Sequence, residues 1–139
     1  MRYISQTLLG PDEGYPRSGA IPGNCVQAAV ASLLSLDLLA VPHVALFDDW
    51  QAALRLWASP YGWDLIVQRP DQMVVADRSP LVILLGRSHR ESSHAVVGRP
   101  DGTLVWDPHP SRAGLIEVRL IADIFPRLTP IQPSEGPDP

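Results

Sequence analysis

The stretch CVQAAVASLLSL, residues 25–36, constrains the fold more than any other segment because it is apolar around most of a helical circumference. It contains no glycine, proline or charged residue, and alanine and leucine are strong helix formers. A helix that is apolar nearly all round has to be buried. The preceding Asn24 is a good N-cap, since its side-chain oxygen can accept from a backbone N–H of the first turn, and Cys25 is therefore predicted at the first helical position.

The remaining chain is divided by fifteen prolines and ten glycines into short elements, with no linker that would mark a domain boundary. Residues 10–23 are rich in glycine and proline and predict an irregular loop. Residues 48–59 begin with two aspartates and continue with apolar residues at helical spacing until Pro60, which predicts a second helix.

The second half of the chain has the pattern of a β-sheet. Short aliphatic runs are separated by Pro, Gly, Asp and Ser, and they are WDLIVQ, PLVILLG, HAVVGR, TLVWD and IEVRL. The sequence RPDGT at 99–103 predicts a hairpin turn between two of them. We expect a further short strand at 2–7 and one helical turn at 121–125. The order of helix first and sheet second predicts an α+β fold in which the helix that carries Cys25 packs on an antiparallel sheet.

Length and composition limit the kinds of protein that fit. A chain of 139 residues and 15.2 kDa suffices for one domain, which we expect over residues 1–125, followed by a disordered proline-rich tail over 126–139. The net charge of -4 gives no sign of a nucleic-acid surface. The chain has no apolar run of signal-peptide or membrane-spanning length, so no membrane partner and a cytoplasmic location are expected.

A single cysteine excludes an intrachain disulfide, and with four scattered histidines it does not supply a thiolate-rich zinc site. Neither a metal nor an organic cofactor is expected, and the oligomeric state is left open. In an alanine- and leucine-rich helix a cysteine is usually a core residue. The alternative is a catalytic nucleophile, and the choice depends on which partners accompany Cys25.

The candidate partners of Cys25 are His94, Asp107 and Gln6. Cys25 at a helix start is placed where the macrodipole and free N–H groups favour a thiolate. His94 opens a strongly predicted strand and is the candidate base. Asp107 ends the hairpin partner of that strand, so the two side chains should lie side by side, with Asp107 orienting the imidazole. Gln6 is the candidate side chain for an oxyanion hole, together with the Cys25 N–H.

The other three histidines are interpreted as loop or turn residues. His43 and His89 look like loop residues without a role. His109 lies in DPHPS and is interpreted as a turn residue between two prolines, the alternative being a residue that lines the cleft or binds a substrate carboxylate.

The motifs PGNCVQAAVASLL, HAVVG and VWDPHPS together resemble the papain-like cysteine peptidases, in particular the bacterial C39-like branch. Cys25, His94 and the pair Asp107–Pro108 match that family's order and local context, and the resemblance extends roughly over residues 1–120. It implies a papain-like fold and a Cys–His–Asp triad. Family members usually carry the oxyanion glutamine a few residues before the cysteine, where this chain has Gly19.

The sequence thus predicts an enzyme that cleaves a peptide or isopeptide bond of a peptide or protein substrate through an acyl-enzyme. Glutamine deamidation, transamidation or hydrolysis of a small amide would use the same triad, because the motifs do not describe the pockets that choose the acceptor. A third hypothesis is a papain-like shell that has lost turnover and serves as a binding module.

Overall fold

The computed structural model describes residues 1–9, 23–72, 79–90 and 92–127. These residues form two α-helices and a five-stranded antiparallel sheet, which confirms the α+β prediction. The sheet order is β1-β5-β2-β3-β4. The elements are α1 Cys25–Leu34, α2 Trp50–Ala58, β1 Trp63–Gln68, β2 Val82–Ser88, β3 Ser93–Gly98, β4 Leu104–Trp106 and β5 Leu115–Pro126.

Helix α1 begins at Cys25, as predicted, and packs its buried alanines and Val30 against β3 and β2. It ends at Leu34 because Ser35 adopts the left-handed conformation with φ 58°. The predicted capping by Asn24 is wrong, since its side-chain oxygen accepts from no backbone N–H of the first turn. The Asn24 Oδ1 instead accepts from the N–H groups of Thr7 at 3.0 Å and Leu8 at 2.8 Å.

The N-terminal segment, residues 1–9, does not form the predicted strand. Its backbone bonds to side chains and helix ends in place of a neighbouring strand: the Ile4 N–H donates to Ser32 Oγ at 3.0 Å, and the Ile4 carbonyl accepts from Trp106 Nε1 at 2.9 Å. The Gln6 N–H donates to the Pro108 carbonyl at 3.1 Å. The segment therefore bridges α1 and the chain that follows β4.

Strand β5, which lies between β1 and β2, differs from the sequence prediction. Residues 121–125 continue β5 as a strand, and no helical turn forms there, because all five residues pair with β1, and Ile121 and Ala122 also pair with β2. Ile121, for example, pairs with Gln68 of β1 and Leu84 of β2. An apolar run flanked by strands on both sides is typical of a buried strand.

Strands β3 and β4 form the predicted hairpin. The Arg99 N–H donates to the Thr103 carbonyl at 2.9 Å, and Gly102 supplies the positive φ of the turn, 96°. On the other side of β3, His94 pairs with Gly86 of β2. Strand β2 carries a bulge at Leu85/Gly86 against β5, so the sheet is irregular beside His94.

The sheet separates two apolar clusters. Ile83, Ala95 and Ala122 belong to the cluster that includes α1 and α2, and the alternating Val82 and Leu84 belong to a second cluster. No helix in the described part of the chain combines the length and the apolar character that a bilayer crossing requires.

Helix α2 is shorter than the predicted 48–59, and Asp49 caps it by accepting from the Ala52 N–H at 3.0 Å. At the C-terminal end, Pro126 completes β5 and the Arg127 N–H donates to the Gly62 carbonyl at 2.7 Å. The prediction of disorder is thus wrong for these two residues. Residues 128–139 and 10–22 lie outside the described residues, so the rest of the predicted tail and nearly all of the predicted loop remain predictions.

Gly86→Ala should destabilise the protein strongly, because the added Cβ would lie 1.8 Å from the Glu117 carbonyl oxygen of β5. Two central strands would have to separate, and we expect a loss of roughly 3 kcal/mol or more in the free energy of unfolding, measured by urea denaturation. Gly62→Ala is the comparison, since its Cβ meets nothing within 4 Å and only its φ of 82° opposes the change. That variant should lose about 1 kcal/mol. Equal losses would contradict the close packing of β2 on β5.

Candidate active site

Asp107 is a buried carboxylate, 2% exposed, that accepts three hydrogen bonds. His94 Nε2–H donates to its Oδ1 at 2.6 Å, and the His109 N–H donates to the same oxygen at 2.9 Å. The Gly114 N–H donates to Oδ2 at 2.8 Å. The hairpin thus brings His94 and Asp107 side by side, as the sequence predicted.

Both members of this pair are charged near neutral pH. Burial acts against the charged form of Asp107, but the hydrogen bonds from His94, His109 and Gly114 lower its pKa to about 2. Burial likewise acts to lower the pKa of His94, but hydrogen bonding to Asp107 and Cys25, and the charges of both, raise it to about 9. The site therefore holds an imidazolium against a carboxylate.

Cys25 lies partly exposed at the first position of α1. Because Nε2 of His94 is bonded to Asp107, Nδ1 is the ring nitrogen left to face the thiol. The hydrogen bond and charge of Cys25 contribute to the raised pKa of His94, which places the thiol next to the imidazole. The structure therefore brings the three predicted triad residues together.

The segment around Gln6 connects the residue before Cys25 with the residue after Asp107. The Gln6 N–H is bonded to the residue after Asp107, and the next two N–H groups are bonded to Asn24, the residue before Cys25. The side chain is 7% exposed and its Nε2 donates to the Leu8 carbonyl at 2.8 Å. An amide NH₂ has two hydrogens, so one remains available. The Gln6 Oε1 is buried without a partner among the described residues.

Sequence reasoning missed the residues that hold this segment in place. Asn24 clamps it through Oδ1 and also donates from Nδ2 to Thr7 Oγ1 and Gln27 Oε1. Arg112 stacks 4.2 Å above the Trp106 ring and donates to Ser5 Oγ, as well as to two carbonyls of the loop after β4. These contacts join positions far apart in the chain, and no local pattern in the sequence indicates them.

The remaining histidines fall into different surroundings. His43 precedes the 3₁₀ turn Val44–Leu46, and His89 lies in the turn between β2 and β3. His109, interpreted from sequence as a turn residue, does lie in a turn, and its ring contacts the ring of His94 with centroids 5.9 Å apart.

Among the described residues, no three His, Cys, Asp or Glu side chains are grouped so that they could hold a metal ion. An open apolar pocket of about 500 Å³ lies on α2 and the chain before it, lined by residues that include Phe47, Leu56 and Trp57, and no triad residue lines it.

Comparisons of this chain with protein-family models, with curated proteins and with solved structures give no match.

The charges of His94 and Asp107 should make stability depend on pH. The raised pKa of His94 stabilises the fold fully below about pH 6.5 and loses that effect as pH rises through about 9. The lowered pKa of Asp107 stabilises above about pH 3.8 and loses its effect as pH falls through about 2. Ionisation of the Cys25 thiol in the unfolded chain would offset this change, so the measurement is made on Cys25→Ser, in which no thiol titrates. As the pH rises from about 6.5 to 9.5, the free energy of unfolding of Cys25→Ser should fall by at most roughly 3 kcal/mol, measured by urea denaturation.

In the same Cys25→Ser background, Asp107→Asn should show less than half of that decrease, because the hydrogen bond and charge that raise the pKa of His94 are weakened. Asp101→Asn is the matched control, since it removes a carboxylate from an exposed turn where an amide oxygen can still accept from Thr103. A parent-like pH profile in Asp107→Asn would refute the buried ion pair.

Proposed function

We propose that this protein is a cysteine hydrolase of papain-like architecture that cleaves a peptide or isopeptide bond through an acyl-enzyme on Cys25. The observation that carries the proposal is the buried 2.6 Å bond between His94 and Asp107 beside a cysteine at a helix start. A histidine oriented by a carboxylate and facing a nucleophile is the arrangement that activates a thiol for acyl transfer.

The papain-like part of the proposal is supported by the arrangement of the elements. A helix with the cysteine at its first residue packs on a sheet whose edge hairpin carries the histidine and the aspartate, in that chain order. These features agree with the resemblance of the cysteine, histidine and Asp–Pro motifs.

In the proposed mechanism the Cys25 thiolate attacks the carbonyl carbon of the substrate, forming an S–C bond while the carbonyl electrons move onto oxygen. The Cys25 N–H, one of the first N–H groups of α1 and so without a helical acceptor, and Gln6 Nε2–H donate to this oxyanion. Collapse expels the amine, which takes the proton from Nδ1 of His94. The thioester of the acyl-enzyme remains.

Water then attacks the thioester as His94 takes one of its protons, and the second collapse releases the acid and restores the thiolate–imidazolium pair. Asp107 stays ionised throughout and holds the ring through Nε2. The first turn of α1 contains no acidic residue, so nothing there opposes an anion at the helix start.

Alkylation by iodoacetamide tests the thiolate–imidazolium pair. At about pH 6 few free thiols are ionised, so Cys25 in the folded protein should react roughly tenfold or more faster than the same cysteine in urea. His94→Ala should abolish this advantage. Mass spectrometry of the intact protein measures the rates. His89→Ala is the control, because it removes a histidine from a nearby turn.

An inert thiol in the folded protein, or one that reacts equally fast without His94, would contradict the proposed enzymatic function. Cys25 would then be a helix residue of a binding module, the alternative that the sequence left open.

Gln6 should matter only where an oxyanion forms. Alkylation displaces iodide at a tetrahedral carbon and creates no oxyanion, whereas an aldehyde captured by the thiolate develops one. We therefore expect Gln6→Ala to alkylate at the parent rate but to bind N-acetyl amino aldehydes roughly 10- to 100-fold more weakly. Gln51→Ala, an amide deletion on α2, should leave both unchanged. Unaltered aldehyde binding in Gln6→Ala would remove Gln6 from the oxyanion hole.

A further inference from the structure

His109 contacts the proposed catalytic base but has no part in the mechanism above. Its ring stands nearly perpendicular to the ring of His94, at 89°, with centroids 5.9 Å apart. Its backbone N–H donates to the same Asp107 oxygen that His94 holds. Both parts of His109 therefore contact the pair on which the proposed chemistry depends.

The turn around His109 determines which of its ring nitrogens carries a proton. The backbone N–H of Ser111 donates to His109 Nδ1 at 3.0 Å, and a backbone N–H can only donate. Nδ1 must then be unprotonated, so the proton is on Nε2 and the ring is neutral. An imidazolium would carry a proton on both nitrogens and lose this bond.

Neighbouring charges act in the same direction. His94 is an imidazolium against one side of His109. The Arg112 guanidinium donates to the His109 carbonyl at 2.8 Å, and Arg90 donates to Ser111 Oγ, which itself lies 2.9 Å from His109 Nδ1. Among the described residues, the anions that face it are Asp107, which is bonded to His94, and the proposed Cys25 thiolate beyond that ring. A second positive charge on His109 would therefore meet three cations.

We propose that His109 is a positioning residue that presents a neutral aromatic ring to His94 and so keeps the His94 imidazolium seated on Asp107. Perpendicular aromatic rings are attracted to each other, and a cation over the face of a neutral ring is attracted by the ring's quadrupole. The meaning of this role for catalysis rests on the proposed function, but the effect on His94 can be measured without any substrate.

The experiment follows the titration of the His94 ring by NMR in the parent, His109→Ala and His109→Phe. All three keep the backbone N–H that bonds to Asp107. In His109→Ala the titration midpoint of His94 should fall by roughly half a pH unit or more, the size expected for the loss of an aromatic contact to a cation. His109→Phe supplies a neutral ring and should restore the midpoint to within about a quarter of a unit. Ser111→Ala keeps the N–H on Nδ1 and should titrate like the parent.

A parent-like titration midpoint of His94 in His109→Ala would overturn the proposal. So would a His109→Phe variant that unfolds like the parent but whose His94 midpoint is as low as in His109→Ala. Failure of the proposed function is recognised separately, because Cys25 would then be inert in the parent while His94 still titrates.

Discussion

The burial of the Asp107 carboxylate determines how the rest of the site is built. A carboxylate shielded from water must have its charge and its oxygens met by donors, and here one donor is a side chain of β3 and two are backbone groups of the loop after β4. The backbone donors are available only while residues 107–114 keep this turn. To form it, Arg112 adopts φ 52° and Gly114 φ 74°. For Arg112 that conformation costs about 1 kcal/mol or more, which its contacts to Trp106, Ser5 and two carbonyls offset.

The N-terminal segment extends this arrangement to the helix. It forms no strand, yet its backbone bonds to Asn24 and Ser32 on the α1 side and to Trp106 and Pro108 on the sheet side. The backbone around Gln6 is therefore held at both ends, by Asn24, which precedes Cys25, and by Pro108, which follows Asp107. Each end of this bridge is held by a side chain that is polar and at least partly buried. Removal of only one partner of such a bond destabilises the protein most, because it leaves a buried polar group without a hydrogen bond.

The sequence predicted those parts of the fold that depend on local patterns. The β3–β4 hairpin and the position of His94 beside Asp107 follow from the turn residues and the register. The predicted start of α1 at Cys25 is also correct, although the capping bond that predicted it does not form. The sequence prediction failed where a group bonds to a distant partner. Asn24 looked like a cap because the first turn is its nearest set of donors, but the N–H groups of Thr7 and Leu8 occupy its oxygen. Residues 121–125 looked helical because periodicity in a short apolar run does not distinguish a turn of helix from a doubly paired strand.

The feature that makes α1 the central helix also suits its start to the proposed chemistry. The absence of charge over residues 25–36 lets the helix be buried, and burial against β3 and β2 fixes the direction of its axis. The same absence leaves the positive end of the helix without an acidic neighbour in the first turn. With Cys25 as a thiolate the triad would hold two anions and one cation, and His94, bonded to Asp107 and next to the thiol, separates the two anions. The helix terminus is then the remaining partial positive charge beside the thiolate, which is why an acidic residue placed in the first turn would oppose the thiolate even if the triad itself were intact.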